Sequence, residues 1–380
     1  MERQRKNKMS DIYAELGVQK IINATGTFTV LGGSRMSEKT LDDMKSAANS
    51  FVQIKELQKK INAEVARLTR NEAAYITNGA AAGLYLCTCA AIQRKNGTSR
   101  HFYLTREEIE SCNVVVFKSH RNPYDFTISQ AGAQYKEIGY PNFILPGTCE
   151  DLEESIDENT CMIYYVHAVW TPEGALDLEN TLRIAHEHNL PVIVDAAAQL
   201  PPLENLWKFT EMGADAVLFS GGKDIRGPQS SGLVVGKKDF IDIVASIGFP
   251  IYGAGRMLKV GREEQVGLYS ALKQYVEMDH DKRAQWCEGE VKKVISGLSG
   301  TKHFRAERSF PNEAGQPIAR AIVYVDGEVA DRVHDLLLED NPGIYVMTEG
   351  KSAFYVNPMT MYEGDAEMVV DRLCKIDNNL

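Results

Sequence analysis

Along the middle of the chain, short apolar runs alternate with stretches whose apolar residues recur at helical spacing. The runs "VVVF" (Val114 to Phe117), "MIYYVHAV" (Met162 to Val169), "LPVIVDAAA" (Leu190 to Ala198), "ADAVLFS" (Ala214 to Ser220) and "SGLVVG" (Ser231 to Gly236) are rich in β-branched residues. Continuous apolar character marks strands covered on both faces, as in a mostly parallel sheet. Between them, "LENTLRIAHEHN" (Leu178 to Asn189) and "NLWKFTEMG" (Asn205 to Gly213) gather apolar side chains on one helical face, and the second closes on a glycine. Such alternation predicts βαβ units and an α/β core.

After about residue 250 the pattern changes. Helical periodicity runs from Glu263 to Leu298, followed by strand-like "ARAIVYVDG", a helix at "ADRVHDLLLED", and strand-like "GIYVMTEG" and "SAFYVNP". The layout expected from these changes is an N-terminal arm with helices over 1–70, a large α/β domain over 71–250, and a smaller α+β domain over 251–380 that includes its connecting helix.

Composition narrows the classes of function. With 44% hydrophobic residues in 380, the chain can bury a large core. A formal net charge of -10 repels a phosphate backbone, so an extended nucleic-acid partner is not expected, whereas a small anionic substrate needs only a local basic patch. The basic start "MERQRKNKMS" lacks the apolar segment of a signal peptide, and no apolar run reaches the roughly 18 residues that span a membrane. No membrane partner and a cytoplasmic location are therefore expected. The seven cysteines show neither metal-ligand spacing nor a disulfide framework, and no metal is expected.

Two common phosphate motifs, GxxxxGK[ST] and GxGxxG after a first strand, are absent, which removes support for P-loop kinases and nicotinamide dehydrogenases. In "YITNGAAAGLYLCTCAAI" (Tyr75 to Ile92), however, a turn at Asn78 and Gly79 leads into an alanine-rich amphipathic helix beginning near Ala80. Free amides at such a start attract phosphate, although the same sequence also makes an ordinary helix N-terminus.

The stretch "AVLFSGGKDIRGPQSSG" places Lys223 after an apolar run, behind Gly221 and Gly222 and three residues before Arg226. The glycines remove bulk, so that a planar group has room against the backbone. A confined or cationic setting lowers a lysine's pKa and makes it a nucleophile suited to Schiff-base chemistry, with Arg226 as the source of positive charge. Alone, the motif is more simply a solvated loop lysine. Upstream, Asp195 ends the strand "LPVIVD", where open α/β sheets bind ligands, although an aspartate there also serves as a helix cap. A phosphate cradle, a carboxylate for a ring nitrogen and a lysine are the three requirements of a pyridoxal 5'-phosphate site, and the Asn78/Gly79 turn, Asp195 and Lys223 supply them in that chain order. His120 in "FKSHRNPYDF" offers a ring to stack on such a cofactor, or else is a loop histidine near Asp125. His167 in "YYVHAVW" reads first as a core histidine and second as a substrate contact.

The order "INATGT", "LGGSRMS", "TNGAAAG", "VDAAAQLPP" and "SGGKDIRGPQSSGL" resembles the selenocysteine-synthase-like group of fold-type I pyridoxal phosphate enzymes, over about residues 20 to 275. The lysine motif with its trailing "RGPQSSG" is the specific part. The resemblance implies a mostly parallel sheet flanked by helices with a smaller C-terminal α+β domain, and a homodimer or higher assembly with active sites between subunits. It implies Lys223 as the Schiff-base lysine, Asp195 on the pyridine nitrogen and His120 stacked on the ring. Gly79, Ala80 and Ser220 would hold the phosphate, beside Asn78. Arg226, Lys259 and Arg262 are candidates for the substrate's carboxylate and distal phosphate, alongside His167.

Members that transfer selenium act on a charged tRNA and carry an additional N-terminal domain for it. Here "INATGT" begins only about twenty residues in, and the segment that reads VH-x-SN in those members is "VHAVW". The better match is the ammonia-lyase branch, which removes water and then ammonia from a phosphorylated 2-amino sugar acid. Selenium transfer, another β-lyase reaction, racemisation and aldol cleavage remain alternatives on the same site, as does a binding module that keeps only the fold.

Overall fold

A computed structural model describes residues 11–97, 105–140, 145–168 and 174–380. The segment Met1 to Ser10 and the residues Val169 and Trp170 of the "VHAVW" segment lie outside the described residues. The chain forms two compact units, one of residues 32–280 with 313–316, the other of the remainder. The division falls at 31/32 and 280/281, whereas the sequence pattern placed boundaries at 70/71 and 250/251.

The strands, in chain order, begin with β1 (Ile21–Asn23), β2 (Ala73–Thr77), β3 (Asn113–Phe117), β4 (Gln134–Ile138) and β5 (Thr160–Val166). They continue with β6 (Val192–Asp195), β7 (Ala216–Ser220), β8 (Gly232–Gly236), β9 (Phe304–Ser309), β10 (Arg320–Val325), β11 (Gly343–Tyr345), β12 (Met347–Glu349) and β13 (Ala353–Val356). In the larger unit seven of them form one sheet in the order β2-β8-β7-β6-β5-β3-β4. From β7 to β4 every neighbouring pair is parallel, while β8 runs antiparallel to both β2 and β7. All seven residues of β5 are buried, as a strand covered on both faces requires.

Two apolar layers cover this sheet. Helices Ile54–Leu68, Leu178–Glu187, Asn205–Glu211 and Arg262–Glu277 pack on the face carrying Ile163, Tyr165 and Val194. Helices Ala80–Lys95 and Lys238–Ile247 pack on the face carrying Met162, Tyr164 and Ile193. The alanine-rich helix was expected to be amphipathic, but Gly83, Leu84, Leu86 and the run Cys87 to Gln93 are all buried. Its small residues let it lie between the sheet and a second helix, so it has no wide polar face.

The smaller unit holds a four-stranded antiparallel sheet, β12-β13-β10-β9, and a parallel pair, β1-β11. Val294, Val323, Phe354 and Leu373 are among its core residues. The helical periodicity from Glu263 to Leu298 divides into Arg262–Glu277 and His280–Gly297, with Met278 in extended backbone at φ -70° and ψ 142°. No described helix is long and apolar enough to cross a membrane.

Candidate active site

The carboxyl ends of β3, β5, β6 and β7 lie on one edge of the larger sheet. The end of β2 lies there too, because two antiparallel pairings restore its direction. Asn78, His120, His167, Asp195 and Lys223 all follow or close these ends, which is where an open α/β sheet binds ligands.

At Gly232 three of these segments meet. Gly232 is in register with Thr77 on one side and Ser220 on the other. A Cβ on Gly232 would fall 2.6 Å from the Gly79 carbonyl carbon, so only glycine lets β8 start against that turn. Gly79 itself has φ 146°, a backbone that side chains rarely adopt, and an added Cβ there would meet nothing within 4 Å. The turn before helix Ala80–Lys95 is thus open on its outer side, with the first helical amides free of intrahelical acceptors.

The lysine loop is closed at its base. Gly221 N donates to Ser231 O at 2.9 Å, Gly227 N to Gly221 O at 2.8 Å, and Ser34 Oγ to Lys223 O at 2.6 Å. Gly221 and Gly222 were expected to leave room for a planar ligand. Their missing side chains instead make room for the loop itself, since a Cβ would lie 2.2 Å from Ser231 Oγ and 2.7 Å from Gln229 Cα respectively. Burial pulls the Lys223 pKa below the ordinary lysine value, and the Asp195 carboxylate acts in the opposite direction. The cationic help expected from Arg226 is therefore not what lowers it. Arg226, at φ 60°, lines a cavity of about 180 Å³ with Ser37, Thr40 and Gln274.

Asp195 is held at both oxygens. Its Oδ2 accepts from Tyr164 Oη at 2.9 Å and its Oδ1 from Ala197 N at 3.0 Å. Asn122 Nδ2 reaches the same tyrosine oxygen at 3.4 Å. Neither Tyr164 nor Asn122 stands out in the sequence, because a tyrosine inside an apolar run reads as core.

His120 lies in a short 3-10 turn after β3, with its ring edge-on to Phe117 and Tyr165. Its Nδ1 accepts from Val166 N at 3.2 Å, so the ring proton is on Nε2. Asp125, the acid expected near it, pairs with Arg121 at 2.6 Å. Burial, and secondarily His167, pull the His120 pKa from 6.5 down to about 3. An unfolded chain takes up a proton on this residue near 6.5, whereas the folded chain does so only near 3. Its contribution to stability is therefore full above about 6.5 and falls as the pH drops toward 3, by up to about 1.4 kcal/mol per pH unit. Urea unfolding of the cofactor-free protein at pH 7 and pH 5 checks this: His120→Gln should lose less stability across that interval than the parent.

His167 does not reach the Asp195 carboxylate. Its main-chain N donates instead to the Asp195 backbone carbonyl at 2.9 Å. Its ring packs on Phe209 at 4.7 Å and lines a cavity of about 470 Å³ with Tyr165, Asp177 and Lys208. That is the Tyr165 face of the sheet, opposite to Tyr164. Arg262 is likewise engaged elsewhere, its guanidinium donating to Ala47 O and Ala48 O, each at 2.9 Å, and so closing the end of helix Glu38–Ala48. Lys259 is exposed.

A pyridoxal phosphate fits this donor set. Asn78 Oδ1, Ser119 Oγ and His120 Nε2 are buried without a hydrogen-bond partner among the described residues, and all three follow β2 or β3 at the same sheet edge. Leaving such atoms unpaired costs roughly 1–3 kcal/mol each, which a polar ligand seated there offsets.

Comparison with known proteins gives the same class. Residues 21–286 match the family described as L-seryl-tRNA selenium transferase, SelA. A D-glucosaminate-6-phosphate ammonia lyase from Salmonella typhimurium is 31% identical, with 96% of this chain and 98% of that protein covered. The solved structure of a D-glucosaminate-6-phosphate ammonia-lyase superposes with a TM-score of 0.83 at 29% identity, over 98% of this chain and 99% of that one. A structure described as SPT with a pyridoxal phosphate internal aldimine shares the fold, with a TM-score of 0.59 at 12% identity, over 94% and 88% of the two chains. With most of its length matched, this chain belongs to the SelA family and has the fold of fold-type I pyridoxal phosphate enzymes.

Proposed function

We propose that this chain is a pyridoxal phosphate-dependent ammonia-lyase whose substrate is D-glucosaminate 6-phosphate and whose products are 2-keto-3-deoxy-6-phosphogluconate and ammonia. The observation that carries this reading is the desolvated Lys223 acting with the Asp195 carboxylate at the ligand-binding edge of the sheet, in a chain similar over its full length to an enzyme of that name.

When bound, the cofactor supplies an aldehyde that condenses with amines and a ring that draws electrons from the substrate Cα. Asn78, the amides at Gly79 and Ala80, and the Ser220 hydroxyl hold its phosphate in this reading. His120, kept neutral by burial, would pack against its ring, and Asp195 would keep a proton on the ring nitrogen. Lys223 is the residue that would hold the cofactor's aldehyde carbon and give way to the substrate amine. Its lowered pKa leaves more of the freed amine unprotonated near neutrality, ready to take the Cα proton. The protonated amine then hands that proton to the β-hydroxyl, which leaves as water. Hydrolysis of the released imine consumes one water and frees ammonia, so water balances overall. Arg262 is engaged by carbonyls, and Arg226 and Lys259 are the candidates to meet the substrate's carboxylate and phosphate.

The tRNA reaction in the family's description is disfavoured by the net charge of -10. We place the protein in the reducing cytoplasm as a homodimer or larger homo-oligomer. Free thiols at all seven cysteines support the first, and large apolar side chains left at the surface, such as Phe51 at 98% and Tyr252 at 73% exposure, support the second.

The test is the visible absorption of the purified protein with pyridoxal phosphate, before and after borohydride, with peptide mapping, followed by addition of D-glucosaminate 6-phosphate. The expected outcome is a yellow protein reduced onto Lys223 that releases ammonia and a keto acid. A protein that takes up no cofactor overturns the reading, and a yellow protein inert to this substrate overturns the substrate alone.

A further inference from the structure

Asp195 is served by a hydroxyl that cannot ionise. Tyr164 is fully buried in the middle of the sheet, and burial, followed by the Asp195 charge, holds its pKa well above the ordinary value of 10. Its proton is therefore a fixed donor to Asp195 Oδ2 at 2.9 Å, not a group that exchanges roles with the acid. Asn122 fixes the tyrosine oxygen from the far side, with Nδ2 shared between that oxygen at 3.4 Å and His120 O at 3.0 Å. Asn122 is itself locked, since its Oδ1 accepts from Tyr124 N at 2.9 Å and its main-chain N donates to Asp125 Oδ2 at 3.0 Å. The turn that presents His120 and the acid of β6 are thus tied through one phenol.

We propose that Tyr164, positioned by Asn122, holds the Asp195 carboxylate in the orientation in which it meets the cofactor's ring nitrogen, and so helps keep a proton on that nitrogen. This rests on the pyridoxal phosphate reading above. A carboxylate that accepts a charge-assisted hydrogen bond is stabilised in its ionised form. With Oδ1 on Ala197 N and Oδ2 on Tyr164, the ionised Asp195 has both oxygens served and still keeps lone pairs for a ring N–H. Without the phenol, Oδ2 loses the donor that fixes the carboxylate beside the ring nitrogen, and a ring without its proton draws electrons less strongly. Tyr164 touches neither substrate nor reacting atoms, so it is a positioning residue.

Tyr164→Phe removes one oxygen and keeps the ring that fills the core. The loaded variant should be yellow and reducible onto Lys223 like the parent. The pH midpoint of its visible band should move upward by at least about half a unit, because the ring withdraws fewer electrons from its bond to Lys223. With D-glucosaminate 6-phosphate, kcat should fall about ten- to a hundredfold while KM stays within about twofold, the pattern of a lost charge-assisted hydrogen bond acting on the chemical step. Asn122→Ser keeps an oxygen for Tyr124 N and should shift the same midpoint in the same direction by less, which covers the case in which Tyr164→Phe does not fold. A fully loaded variant whose band titrates like the parent's overturns the proposal and leaves the cofactor reading intact. A parent protein that takes up no pyridoxal phosphate removes both.

Discussion

Lys223→Ala is expected to leave a folded protein that binds pyridoxal phosphate only loosely, shows no band reducible by borohydride, and releases ammonia at the background rate. The residue carries two tasks in the proposed reaction, holding the cofactor carbon and moving the Cα proton, so its loss should lower turnover at least on the order of 10⁴-fold. The fold should survive. The glycines of this loop pack against Ser231 and Gln229, and the base of the loop is tied by main-chain bonds, none of which uses the Lys223 side chain. Removing a desolvated amine also relieves a burial cost, so a melting temperature at or slightly above the parent's is expected. Addition of a small primary amine such as methylamine should return part of the activity, since the shortened side chain leaves space for it. Full activity in the variant would sink the assignment of Lys223.

Asp195→Ala should be nearly as damaging but in a different pattern. Without a carboxylate to hold the ring proton, the electron sink weakens, and kcat should fall on the order of 10² to 10³-fold. Lys223 is still present, so the cofactor should load and remain reducible onto it. The variant should also lose stability, because Tyr164 Oη and Ala197 N both lose their acceptor, at roughly 1–3 kcal/mol for each buried group left unpaired. Urea unfolding of the cofactor-free protein measures that part, and ammonia release by the loaded protein measures the other. A loaded variant with parental kcat would show that Asp195 only braces the sheet edge.

The residues at strand ends were legible in the sequence because two local signals coincide there. Asp195 closes a continuous apolar run and leads into three alanines, and Lys223 follows another such run behind Ser220, Gly221 and Gly222. Elements whose meaning depends on distant partners were not legible. β4, "QYKEI", is an edge strand with Gln134 and Glu137 exposed, so it lacks the apolar run that marked its neighbours. Tyr164 is one of seven buried residues in β5, and the pairing of Val166 with Asp195 brings its hydroxyl to that acid. Arg262 reads as a free cation near "KVGRE", yet its acceptors are carbonyls 214 and 215 residues earlier in the chain. The glycines before Lys223 were recognised as necessary but for the wrong neighbour. Sequence shows that bulk is excluded there, and only packing shows what fills the space.

The closed base of the lysine loop bears on the timing of the reaction. Ser220 and Gly232 are paired across β7 and β8, and the backbone around Lys223 is bonded to Ser34 and pinned by Gly221 to Ser231. In the proposed reaction the Lys223 side chain has to travel, and its main chain is tied in place by these bonds. The travel is a change of side-chain rotamer within a fixed frame, a class of motion far faster than the microsecond-to-millisecond opening of a lid. Turnover would then be paced by bond breaking or by departure of the products, not by reshaping of this loop between steps.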